Sequence, residues 1–168
     1  MKSKVIGLLS AVILLAGGVM HAQAGMISVS SAAGPSAASI TPAVDAFRTF
    51  IGGGSVAGAN GSFGGARREI NWDGVPDSFA SPNNLPPNFF NANSPRGVQF
   101  ATPGVGFRVS ADSSNPTNTP VRFGDLNPAY ASEFQAFSSE RLFGVLGATV
   151  MDIFFFVPGT NTPASVTA

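Results

Sequence analysis

Apolar residues dominate Val5 to Val19 and again Thr149 to Val157, and between these runs they recur at spacings that change along the chain. Val44, Phe47, Phe50 and Ile51 fall three and four positions apart, the period of a helix with one buried stripe. Thr41 in the N-cap position and Pro42 at the first helical position predict a helix from Pro42 to Ile51, stopped by Gly52; the alternative is a strand edge through Phe47, Thr49 and Ile51. Arg67 to Asp73 alternates instead. Arg68, Ile70 and Trp72 point one way and Glu69, Asn71 and Asp73 the other, which predicts an interior strand ending at the Asp73-Gly74 turn, with Trp72 buried.

Further strands follow at loop-rich spacing. Gly97 to Thr102 and Gly106 to Ser110 read as the arms of a hairpin about Pro103-Gly104. Val121 to Phe123 and Arg141 to Phe143 read as short strands, and Tyr130 to Phe137 as an extended crossing segment. Thr149 to Val157 is β-branched and aromatic and has the length of a strand buried on both faces. The connection from Asp77 to Pro95 is rich in Pro and Asn, but its Leu85, Phe89 and Phe90 are too apolar for a solvated linker and are expected to pin it to the core. Gly52 to Gly65 lacks the strand, helix and lysine of a phosphate cradle and reads as a mobile surface loop. Short strands with Gly and Pro turns predict a mainly β chain, an antiparallel β-sandwich or jelly-roll-like domain with a short N-terminal helix and long loops.

The first apolar run has a different meaning. Lys2 and Lys4 precede it, and Ala22-Gln23-Ala24 follows as a small-x-small cleavage site, the pattern of a signal peptide over residues 1–24. Export is therefore expected, to the periplasm, cell surface or medium, with no membrane span after cleavage. Residues 25–40 are Ser, Ala and Gly with little to bury and read as a flexible arm, leaving 41–168 as one domain. Ala164 to Ala168 begins to alternate before the sequence stops, which reads as a domain cut short within a strand.

Cleavage also removes both lysines and the only histidine, and the chain has no cysteine. The 144 residues from Gly25 onward carry seven Arg against nine Asp and Glu, a net charge of −2. Ser-His-Asp and Cys-His catalysis, His or Cys zinc sites and Schiff-base chemistry are excluded within that chain, and no basic nucleic-acid footprint is present.

Four stretches carry a family likeness: Phe47-Arg48, Arg67 to Val75, Asn83-Asn84-Leu85-Pro86 with Asn88 to Asn91 and Ser94 to Gly97, and Phe156 to Asn161. Together they resemble an uncharacterised family of exported bacterial proteins, some with a PEP-CTERM-type surface-sorting tail. The resemblance spans Thr41 to the end. It implies export and a possible place at the cell surface, but no established activity and no catalytic residues. The sorting tail is absent from this sequence, in keeping with a chain cut short.

Three sites emerge. Arg67, Arg68 and Glu69 beside Trp72 could bind a sugar ring, by stacking and charge-assisted hydrogen bonds; the alternative is that Trp72 anchors the core. Asn71, Asp73 and Asp77 place oxygen donors about a turn and could hold a structural calcium, or could serve as Asx-turn caps; no other cofactor is implied. Glu133 with Glu140, or Glu69 with Asp73, could act as the acid and base of a carboxylate-dependent glycoside hydrolase or polysaccharide lyase, if a cleft brought them together. The leading expectation is a non-catalytic exported protein, structural at the surface or matrix or binding an extracellular glycan.

Overall fold

The computed structural model describes residues 30–52, 62–63, 67–137 and 139–164. Residues 1–29, which include the expected signal peptide, most of the glycine-rich segment and Ser165 to Ala168 lie outside the described residues. The elements in order are helix α1 (Ala37–Ile51), strands β1 (Ser62–Phe63) and β2 (Arg67–Arg68), helix α2 (Phe89–Ala92), strands β3 (Val98–Ala101) and β4 (Gly106–Val109), helix α3 (Tyr130–Glu133), and strands β5 (Phe143–Leu146) and β6 (Asp152–Phe155). Short antiparallel pairs, β1 with β2, β3 with β6 and β4 with β5, make up the described sheets. Among the described residues no helix is long and apolar enough to cross a membrane.

The expected hairpin is not formed. β3 and β4 follow one another in sequence, yet each pairs with a distant strand, Phe100 opposite Ile153 and Phe107 opposite Val145. The two registers describe one bent antiparallel ribbon, with 98–109 running against 143–155. At the bend four residues, 102–105, face five, 147–151, and the register shifts by one. Local bonds hold the corner. The Thr102 hydroxyl donates to the Val150 carbonyl at 2.8 Å and the Val105 N–H to that of Leu146 at 2.8 Å. A Cβ on Gly104 would stand 2.2 Å from the Leu146 carbonyl oxygen, so the bend closes only because that side chain is missing.

The other edge of the β3–β4 arm is covered by the Pro-rich connection. The Ser81 N–H donates to Val109 at 2.7 Å, Leu85 to Phe107 at 2.8 Å, and Phe100 donates to Pro87 at 3.0 Å. Leu85, Phe89 and Phe90 are buried in the core with Val75, Ala80, Phe100, Phe107 and Val109, as their apolar character required. Each such side chain contributes about 1.5–3 kcal/mol on burial, enough to order a loop that has little regular structure. Buried Asn91 ties down the distant turn after β6. Its amide donates to the Thr160 carbonyl at 2.8 Å and its carbonyl accepts from the Gly159 N–H at 3.0 Å.

Several expectations are corrected. α1 starts at Ala37 rather than Pro42 and so includes part of the expected arm; Pro42 lies inside it. Ser36 and Ser39 close its first turn, the Ser39 hydroxyl donating to the Ser36 carbonyl at 2.6 Å. Arg67 to Asp73 is not one strand. Pairing stops after Arg68, and Trp72 to Gly74 forms a 3₁₀ turn in which the Asn71 side chain accepts the Asp73 N–H at 3.1 Å. This local bond competes with a strand ladder. Val121 makes a single bridge to Ala111 before the chain turns, Tyr130 to Glu133 is helical, and the strand expected at Arg141 to Phe143 lies at Phe143–Leu146.

The largest departure is β6. Ile153, Phe154 and Phe155 are 46%, 48% and 40% exposed, so the most apolar segment after the N-terminal run is covered on neither face by the described residues. β3 pairs with one edge. The other edge is met only at its end, where the Ala164 N–H donates to Phe155 at 3.0 Å and Pro163 bridges Phe156.

Candidate ligand-binding site

A cleft of about 460 Å³ opens between α3 and β5. Its helical wall is built locally. The Asn127 side chain accepts the Ala129 N–H at 3.0 Å, the Glu133 N–H donates to Ala129 at 3.1 Å, and the Phe134 N–H donates to Tyr130 at 3.0 Å. This single turn sets Tyr130 and Phe134 four residues apart on one face, with ring centroids 4.7 Å apart and planes tilted by 35°. Glu133 and Gln135 add polar groups to the lining.

The floor is held by strained backbone. Arg122 and Phe123 have φ of 51° and 63°, the left-handed region, which costs a non-glycine residue roughly 1–2 kcal/mol. The Arg122 guanidinium compensates by donating to the Ala131 carbonyl at 2.9 Å and the Phe134 carbonyl at 3.4 Å, which straps α3 to this turn. Phe123 is thereby buried against the cleft. The opposite wall is β5, whose outer edge has no strand partner among the described residues.

Trp72 supports this wall from behind. Its indole stacks on Phe143 at 4.3 Å and 7°, meets Phe90 edge-on at 5.4 Å, and lies 6.4 Å from Phe100. Phe143 in turn lies 5.2 Å from Phe100 and 5.9 Å from Phe107. Trp72 is half-buried, and Ile70 packs with it against the core, the shared face that alternation indicated.

Of the residues expected to form a sugar-binding patch, Trp72 and Glu69 both have protein partners. One indole face is occupied by Phe143, Arg68 is exposed, and the Arg67 side chain lies outside the described residues. Glu69 accepts from Arg48 Nε and Nη2, one edge of the guanidinium, at 2.9 and 3.0 Å, while Nη1 donates to Asp45 at 2.9 Å. That pairing, with Asp45 beside it, raises the pKa of Arg48 further. Arg96 donates to the Glu69 carbonyl at 2.6 Å and to the Ser94 hydroxyl, and sits 5.6 Å over the Phe90 ring. Burial lowers its pKa.

The donors considered for calcium are turned onto protein groups. Asp73 accepts three successive backbone N–H groups, from Ser139 at 3.2 Å, Glu140 at 3.3 Å and Arg141 at 2.9 Å. Asn71 caps the 3₁₀ turn, and Asp77 accepts Arg141 Nη2 at 2.5 Å. Among the described residues no cluster of three His, Cys, Asp or Glu is arranged to hold a metal.

Arg141 is the hub that sequence gave no sign of. Its side chain is 3% exposed. It donates to Asp77, to Asp112 at 2.6 Å and to the Ser110 carbonyl at 3.1 Å, while Nε finds no acceptor. Burial pushes the Asp112 carboxyl up, but hydrogen bonds from the Ser114 hydroxyl and N–H, with the Arg141 guanidinium, outweigh it and hold the carboxyl below its ordinary value. A carboxyl lowered in the folded state contributes stability above its unfolded pKa, about 3.9, and that contribution is lost as pH falls through the folded value. Glu140 shifts the same way, through bonds from the Ser113 hydroxyl and N–H. Urea midpoints measured downward from pH 5 should therefore fall steepest below about pH 4, and Asp112→Asn should flatten that slope. An unchanged slope in the variant would remove Asp112 from the account.

The carboxylates of the expected acid–base pairs each have their own surroundings. Glu140 accepts both the Ser113 N–H and hydroxyl at 2.6 Å, while Glu133 lines the cleft. Glu69 and Asp73 face Arg48 and the 139–141 backbone. No family model, no curated protein and no solved structure matches the chain.

Proposed function

We propose that this is an exported, non-catalytic protein of the β-sandwich kind that binds an extracellular or matrix glycan, with the α3–β5 cleft as the ring-binding site. The carrying observation is the Tyr130–Phe134 ring pair at the cleft, with the Glu133 carboxylate and Gln135 amide in the same lining. An aromatic face packs against the apolar face of a sugar, and the polar groups hydrogen-bond its hydroxyls. The volume suits a small saccharide unit. The antiparallel ribbon and loop-covered core support a sandwich-type reading of the fold.

The non-catalytic half rests on the carboxylates. Glycoside hydrolysis needs two of them across one cleft, and Glu133 is the only one lining this cleft among the described residues. Export rests on the leader alone, so secreted material should begin at Gly25 on amino-terminal sequencing.

A glycan array on the mature chain tests the function. Binding that weakens about tenfold in a folded Tyr130→Ala variant supports the cleft, a loss of the size that one aromatic contact carries. An array without hits defeats the proposal, and turnover of a bound glycan would replace it with the hydrolase or lyase.

A further inference from the structure

Resting on that reading, we infer that the cleft selects an amino sugar with a free ammonium group over its N-acetylated or acidic counterparts. The inference comes from the charge balance of the lining. Among the described residues Glu133 is the only charged side chain there; the other polar side chains are the Tyr130 phenol and the Gln135 amide. The nearby cation, Arg122, is spent on the Ala131 and Phe134 carbonyls and is not part of the lining. No lysine occurs after Lys4, so no lysine ammonium is available to occupy the cleft.

Glu133 is exposed at the rim of the cleft, so its attraction for an opposite charge is that of a solvated carboxylate and is strongest at low ionic strength. A hexosamine lays its apolar ring face on Tyr130 and Phe134 and extends its ammonium to Glu133, while Gln135 takes a hydroxyl. The aromatic rings favour the same ligand, since a cation held near an aromatic face is attracted by the ring quadrupole. An N-acetyl group keeps the stacking and loses the charge. A uronate places a second carboxylate near Glu133 and is repelled.

The test uses the full mature chain and three tetrasaccharides, of glucosamine, N-acetylglucosamine and galacturonate, titrated calorimetrically where the amine is protonated. The glucosamine oligomer should bind about threefold to fivefold tighter than the N-acetylated one, the size of an exposed ion pair, with the uronate weakest. Glu133→Gln should abolish the preference, so that the glucosamine and N-acetylglucosamine oligomers bind alike. Asp152→Asn, which neutralises an exposed carboxylate on β6, should change neither. Equal affinity for all three, a preference that survives Glu133→Gln, or one lost equally in Asp152→Asn would overturn the amino-sugar assignment and leave the cleft standing. No binding of any of the three, on a protein that also shows no hit on the array, takes down the cleft reading and the inference with it.

Discussion

Arg141→Met is expected to cost about 1–3 kcal/mol, because the buried Ser110 carbonyl loses its donor, while Asp77 and Asp112, with side chains 39% and 22% exposed, lose a charge partner but keep some water. Asp77 and Asp112 would keep their carboxylates without the guanidinium that both now share, and the Ser110 carbonyl would lose its donor. Small domains have only about 5–15 kcal/mol in total, so the urea midpoint should fall clearly below that of the wild type. A triple variant, Arg141→Met with Asp77→Asn and Asp112→Asn, should recover a good part of the loss, since it removes the stranded charges together with their partner. A wild-type urea midpoint in the single variant would show that the hub is not the internal brace its burial indicates. The unfilled bond of Arg141 Nε limits how far the native pair can exceed an apolar replacement.

Trp72→Ala should cost about 3 kcal/mol, the lower part of the range for a large aromatic lost from a core, because the indole is only half-buried. The loss reaches beyond stability. Phe143 is stacked between Trp72 and the rest of the aromatic cluster and also lines the cleft, so its wall should loosen and glycan affinity fall with it. Trp72 is the only indole, which makes fluorescence a direct check. The native emission should be blue-shifted, partly protected from acrylamide, and should shift to the red on unfolding. Freely quenched, red emission from the folded chain would refute the stack on Phe143 and return Trp72 to the surface.

The cleft was hidden from sequence reasoning for a physical reason. Tyr130 and Phe134 have helical spacing, but a four-residue helix gives too short a period to stand out from irregular apolar residues. The left-handed pair Arg122-Phe123 carries no Gly or Asn signal, because the strap from Arg122 to α3 sustains it rather than local preference. Glu133 was recognised as chemistry-bearing, but its neighbour in space is β5 and not Glu140. The Trp72 motif shows the opposite case. Its burial face was readable from alternation with Ile70, whereas its backbone was not, since the Asn71 cap replaces a ladder with a turn.

The sequence by itself determined the leader pattern, the absence of His, Cys and Lys chemistry from Gly25 onward, and the apolar anchors of the Pro-rich connection. Those properties depend on residue type and need no partner. Tertiary structure alone decided that β3 and β4 part company into one bent ribbon, that β6 stands exposed, and that Arg141 gathers Asp77 and Asp112. Alternation tells which side chains share a face, but not which strand lies alongside. Gly106 to Val109 finds Phe143 to Leu146 more than thirty residues away because Gly104 lets the corner close against Leu146, and no local pattern carries that distance.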